Sequence, residues 1–154
     1  MEIIELKNRP DIGQHKKLFA SYNQFAKLLM ELRRKDLTNE TVNSINDGIT
    51  MVNSITGSEK ELRKQINNTQ CNIIKLLEKD HKLVTKNHYR NTWLALGMAV
   101  FGIPLGVAFG AGIGNMAFLG IGLPIGMAIG IAVGTAMDKK AFEEGRQIDL
   151  EIKR

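Results

Sequence analysis

Between residues 93 and 137 the chain has no Asp, Glu, Lys, Arg or His. So long an uncharged run is foreign to the surface of an ordinary soluble domain. A bilayer core about 30 Å thick is crossed by about 20 helical residues, so these 45 residues suffice for two crossings and a tight turn. Cysteine is nearly absent too. The single Cys71 excludes an internal disulfide framework and fits a reducing compartment. Proline occurs three times, at Pro10, Pro104 and Pro124, and neither Pro nor Gly appears from residue 78 to residue 96. The first residues, Met-Glu-Ile-Ile-Glu-Leu-Lys, lack a basic segment followed by an apolar one, and no cysteine is placed to take a lipid. No signal peptide is expected, and the apolar stretch itself has to target the chain.

Convergent chemistry is also missing. His15, His81 and His88 are far apart, with Cys71 ten residues before His81, too dispersed for a metal site. There is no Ser-His-Asp order, no acid pair and no H-E-x-x-H. The glycine runs at Gly110-Ala-Gly-Ile-Gly and Gly120-Ile-Gly-Leu-Pro-Ile-Gly lack the preceding strand of a dinucleotide fingerprint and the Lys-Ser or Lys-Thr of a P-loop. No enzyme activity, cofactor or metal is expected. The net charge of +5 comes from residues 1–91, with 16 basic against 11 acidic groups, while residues 138–154 balance at 5 and 5. Such a mild excess suits the face of an anionic membrane and is too diffuse for nucleic acid.

What the uncharged stretch does contain is glycine, 11 of the chain's 15. Gly102, Gly106, Gly110 and Gly114 stand four apart, and so do Gly122, Gly126, Gly130 and Gly134. A shift of 20 residues superposes the two runs and brings Pro104 onto Pro124. On a helix each run is a stripe without side chains, along which two backbones can approach. This predicts a transmembrane helical hairpin, with kinks at Pro104 and Pro124 and a turn around Asn115. The other reading is an apolar segment held in a soluble form until it inserts. Phe101-Gly-Ile-Pro-Leu-Gly-Val-Ala-Phe-Gly, Gly120-Ile-Gly-Leu-Pro-Ile-Gly-Met-Ala-Ile-Gly and Met137-Asp-Lys-Lys-Ala-Phe-Glu-Glu-Gly-Arg together resemble the glycine-zipper family of small, largely uncharacterised prokaryotic membrane proteins. The resemblance covers only the C-terminal part. It implies a membrane hairpin with a short charged tail and brings no catalytic residues.

Ahead of the stretch the pattern is helical. Leu18, Tyr22, Phe25, Leu29 and Leu32 recur at steps of four and three, predicting a helix from about residue 12 to the basic cluster Arg33-Arg34-Lys35. Thr38 or Asn39 can cap a second helix lined by Val42, Ile45, Ile49, Val52 and Ile55. Ser58 with Glu61 forms a capping box for a third, lined by Leu62, Ile66, Ile73 and Leu77. With no breaker following, the third helix is expected to continue into the membrane, a break at residues 87–91 being the alternative. Residues 2–7 alternate loosely like a strand, as do residues 147–153, and the two could pair.

The expected architecture is therefore all-α: a cytoplasmic domain of about three helices (residues 1–91), a glycine-zipper hairpin (92–137) and a charged cytoplasmic tail (138–154). Tyr89, Arg90, Trp93, Lys139 and Lys140 fall at the membrane interface. Basic residues on both flanks and none in the turn place both termini in the cytoplasm, at the inner (plasma) membrane. The expected partners are the lipid bilayer, further copies of the chain packed through the glycine stripes, and a protein bound by residues 1–91. A membrane-anchored scaffold or adaptor is the first functional reading and a pore-forming oligomer the alternative, which repeated glycines, kinking prolines and the apparent want of a wide aliphatic surface motivate.

Overall fold

The computed structural model describes residues 2–115, 117 and 119–152. The fold is all-α. Two compact units divide it: Met1–Val84 with Ile148–Arg154, and Thr85–Gln147.

The first unit holds α1 (Lys16–Leu32), α2 (Asn39–Ser54) and α3 (Glu59–His81), with a single 3-10 turn, Pro10–Gln14, ahead of α1. Proline at the start of that turn has no N–H to leave unpaired. The helix boundaries come from their caps. Thr38 Oγ1 accepts the Thr41 N–H (3.4 Å) to open α2. Ser58 and Glu61 satisfy one another's backbone N–H groups at the start of α3. The expected apolar faces meet: Phe25, Leu28 and Leu32 from α1, Ile45 and Ile49 from α2, and Ile66 and Leu77 from α3 are fully buried. Leu→Ala changes in such a core cost about 2–5 kcal/mol.

Helix α3 packs on both α1 and α2, but α1 and α2 scarcely touch each other. Residues 2–9 lie between them, as an extended strap rather than the sheet strand expected. Its inward residues recur every third position, Ile3 (buried), Leu6 and Arg9 (half-buried). Tyr22 on α1 donates its hydroxyl proton to the Lys7 carbonyl (2.8 Å). Burial raises the Tyr22 pKa above its ordinary 10.0, against a smaller lowering by Arg9. The neutral phenol is therefore the form the fold favours. Its contribution is complete below about pH 10, the unfolded value, and is lost as pH climbs through the higher folded value. In an alkaline titration followed by circular dichroism, Tyr22→Phe is expected to lose less stability than the parent above that pH; parallel curves would remove Tyr22 from the account.

The expected run of α3 into the apolar stretch does not occur. Lys82 adopts a left-handed conformation (φ 56°) and the Leu83 N–H returns to the Leu77 carbonyl (3.1 Å), closing the helix. Leu83 and Val84 are then buried, and Asn87, also left-handed (φ 60°), opens the next helix. Asparagine takes this conformation more readily than most residues; lysine does not. Val84–Thr85 (β1) pairs with Gln147–Ile148 (β2). Residues 147–148 thus pair with 84–85 and not with 3–6 as expected.

The second unit is a helical hairpin. Its first arm is α4 (His88–Gly97), a π-type turn at Met98–Gly102 and α5 (Ile103–Ile113); its second is α6 (Leu119–Glu143). Gly114 (φ 72°) ends α5, and the Asn115 N–H closes it on the Gly110 carbonyl (3.0 Å). This is the turn expected from Gly and Asn.

Candidate functional site

The two arms of the hairpin meet along their glycines. On α6 the buried positions are Gly122, Gly126, Gly130, Gly134 and then Asp138 and Ala141. On the first arm they are Gly97, Gly102, Gly106 and Gly110. Gly114, expected in this stripe, lies outside it as the exposed residue that ends α5, and Gly97 takes the fourth place.

Pro104 explains the entry of Gly97. It has no N–H to donate to Val100, and its ring crowds the carbonyl four residues back. The chain answers with a wider turn in which the Ile103 N–H bonds to the Met98 carbonyl, five residues earlier. Five residues then make about one turn, so Gly97 and Gly102 share a face that a regular α-helix would not give them. Pro124 is accommodated within α6.

The register is antiparallel and close. A Cβ at Gly122 would stand 2.6 Å from the Gly106 Cα, one at Gly126 2.7 Å from the Gly102 Cα, one at Gly130 2.8 Å from the Trp93 carbonyl carbon and one at Gly134 2.5 Å from the Arg90 Cα. In every case the obstacle is backbone, which cannot rotate away. Even alanine is excluded at these four positions.

The seam ends on a carboxylate. Helix α4 has no side-chain cap of its own, and Asp138, 7% exposed, supplies one from the other arm. Its Oδ1 accepts the Tyr89 N–H (3.1 Å) and its Oδ2 the Arg90 N–H (2.9 Å). These two are among the backbone donors that a helix start leaves unpaired, and a negative charge there also suits the helix dipole. Gln147 Nε2 donates to the Asp138 carbonyl (3.3 Å). Arg146 Nε donates to Glu144 Oε2 (2.7 Å). The Glu144 carboxylate and the Tyr89 hydroxyl together hold the Arg146 guanidinium above its ordinary pKa.

From the sequence Asp138 was only the first residue of the charged tail, and its capping role was missed. The signal was there, because position 138 is the next step of the four-residue spacing that runs through Gly134. Of the expected interface residues, Arg90, Lys139 and Lys140 are exposed and Tyr89 and Trp93 half-buried. The Gly134 contact with Arg90 brings the two charged flanks to one end of the hairpin.

Large apolar side chains point outward. Leu96, Val100, Ile103, Val107 and Ile113 on the first arm and Ile121, Leu123, Ile125, Met127 and Val133 on the second are exposed. A wide aliphatic surface is therefore present, contrary to the sequence expectation, because glycine took the inner face and left these bulky residues for the outer one. By length and composition, His88–Ile113 and Gly120–Glu143 can each cross a membrane, and only 22% of each apolar window is buried within the structure. A core helix of a soluble protein would be mostly buried.

Elsewhere His15 Nε2 pairs with Glu59 Oε1 (2.6 Å), and His81 Nε2 lies 2.9 Å from Thr41 Oγ1. Among the described residues no group of three or more His, Cys, Asp or Glu is placed to hold a metal. No family model matches this chain, and neither a curated protein nor a solved structure gives a match.

Proposed function

We propose that this chain is a small integral membrane protein, held in the bilayer by its glycine-seamed hairpin and presenting its helical unit as an adaptor for a protein partner. One observation carries the reading: the hairpin is apolar outside and side-chain-free inside. In water, burial of apolar surface drives packing and bulky side chains go inward. Between helices in lipid that drive vanishes and close backbone packing takes over.

The dimensions support it. Residues 93–113 and 119–137 of the two arms, at about 1.5 Å per residue, span about 31 and 28 Å, against a hydrocarbon core of about 30 Å. Arg90, Lys139 and Lys140 at one end favour the cytoplasmic face of the plasma membrane for both flanks. With the two stripes turned onto one another, self-association through them requires the hairpin to open; copies that keep it closed would meet through the aliphatic outer faces. The protein is expected to pellet with membranes and to stay there through alkaline carbonate, whereas release by carbonate or high salt would overturn the reading.

A further inference from the structure

The strap of residues 2–9 is held in an unusual way. Asn46 of α2 accepts the Ile4 N–H through Oδ1 (2.9 Å) and donates through Nδ2 to the Glu2 carbonyl (3.0 Å). Asn53 repeats the arrangement three strap residues later, accepting the Lys7 N–H (2.8 Å) and donating to the Glu5 carbonyl (3.0 Å). Each amide thus brackets one inward residue, Ile3 or Leu6, as a neighbouring β-strand would. The spacings agree: seven helical residues rise about 10.5 Å, and three extended residues span about 10 Å.

The other wall contributes as well. From α1, Arg33 Nη2 donates to the Ile4 carbonyl (3.1 Å) and Tyr22 to the Lys7 carbonyl (2.8 Å). At the far end, Arg9 Nη2 donates to the carbonyls of Val52, Asn53 and Ile55 at the C-terminus of α2, where positive charge is favoured. Six main-chain groups of the strap are therefore read by four side chains. Such contacts are blind to the identity of the outward residues, and Glu2, Ile4, Glu5, Lys7 and Asn8 all point outward.

We propose that the groove between α1 and α2 is a reader of extended peptides, filled in cis by residues 2–9, and that it accepts from a partner protein a segment with aliphatic residues at its first and fourth positions and arginine at its seventh. The strap is built to give way. Its clamping hydrogen bonds are exposed although Asn46 and Asn53 themselves are half-buried, Ile3 is its one buried apolar side chain, and it joins α1 through a single 3-10 turn in which a Cβ at Gly13 would meet nothing within 4 Å. Segments of this kind open locally before the core does.

This inference rests on the adaptor reading, but its test does not depend on the membrane. Full-length protein in detergent carrying Ile3→Ser and Leu6→Ser is titrated with a fluorescent peptide of the strap sequence, Glu-Ile-Ile-Glu-Leu-Lys-Asn-Arg, with a scrambled peptide as control. Saturable binding is expected, at least tenfold weaker to the parent, whose own strap competes, and at least tenfold weaker again when Asn46→Ala and Asn53→Ala are added to the loosened variant. No binding to a folded loosened variant, binding indifferent to the two asparagines, or straps exchanged between two copies with no peptide uptake would overturn the proposal. Should the loosened variant fail to fold, hydrogen exchange on the parent decides: the Ile4 and Lys7 amides are expected to exchange at least tenfold faster than those of Ile45 and Ile49, and equal rates would show a strap that never leaves. Failure here leaves the membrane anchor standing; release by carbonate leaves the groove standing.

Discussion

Leucine at positions 126 and 130 is expected to force α6 off the first arm. Overpacking a core costs about 1–3 kcal/mol where neighbouring side chains can yield. Here the neighbours are the Gly102 Cα and the Trp93 carbonyl carbon, 2.7 and 2.8 Å from the first added carbon, so the cost has no such outlet. A combined loss of at least about 4 kcal/mol is expected, lowering the melting temperature in detergent by at least about 8 °C at about 2–4 °C per kcal/mol for a chain of this size. Trp93 is the only tryptophan and its carbonyl faces Gly130, so its fluorescence reports the separation directly. Gly112→Ala and Gly120→Ala are the controls, since a Cβ at either meets nothing within 4 Å. Each should change stability by less than about 1 kcal/mol, the intrinsic difference between the two residues in a helix. If the leucine pair melted like the alanine controls, the seam would not be what holds the arms together.

The second large effect is expected at Asp138. Alanine there would strand the Tyr89 and Arg90 N–H groups at a helix start with no other side-chain cap. Hydrogen bonds to a charged group contribute about 1.5–3 kcal/mol each, and solvent entering the gap recovers part of that, so a loss of about 2–4 kcal/mol is expected. Asp138→Asn keeps one acceptor and turns an N–H toward the other donor, and should fall between parent and alanine. The melt is read together with hydrogen exchange at Tyr89 and Arg90. Protection of those amides unchanged in Asp138→Ala would show that the carboxylate does not cap α4.

How much of this was legible beforehand depended on whether the local signal and the tertiary context agreed. The start of α3 was readable because Ser58 and Glu61 satisfy each other within one turn, with no outside help. Its end was less so: a break was expected only as the alternative, at 87–91, whereas α3 already closes at Lys82, which no Gly or Pro marks, and Asn87 opens the next helix. Of the eight glycines at four-residue spacing, all but Gly114 are buried in the structure. Gly114 falls outside the seam because it ends α5 in a left-handed conformation, and Gly97, outside the four-residue spacing, enters it through the π-type turn ahead of Pro104. The strap looked like a strand because extended chain has an extended look; that its hydrogen bonds come from asparagine side chains on a helix is information carried by residues more than 40 positions away.

Whether the hairpin crosses a bilayer is decided by labelling from the two sides. With Cys71→Ser as background, Asn115→Cys and Lys140→Cys are made singly and probed in sealed vesicles of both orientations with a thiol reagent that does not cross membranes. The account predicts that position 115 reacts from one face only and position 140 from the opposite face only, in each orientation. Reaction of both positions from the same face would contradict a crossing hairpin.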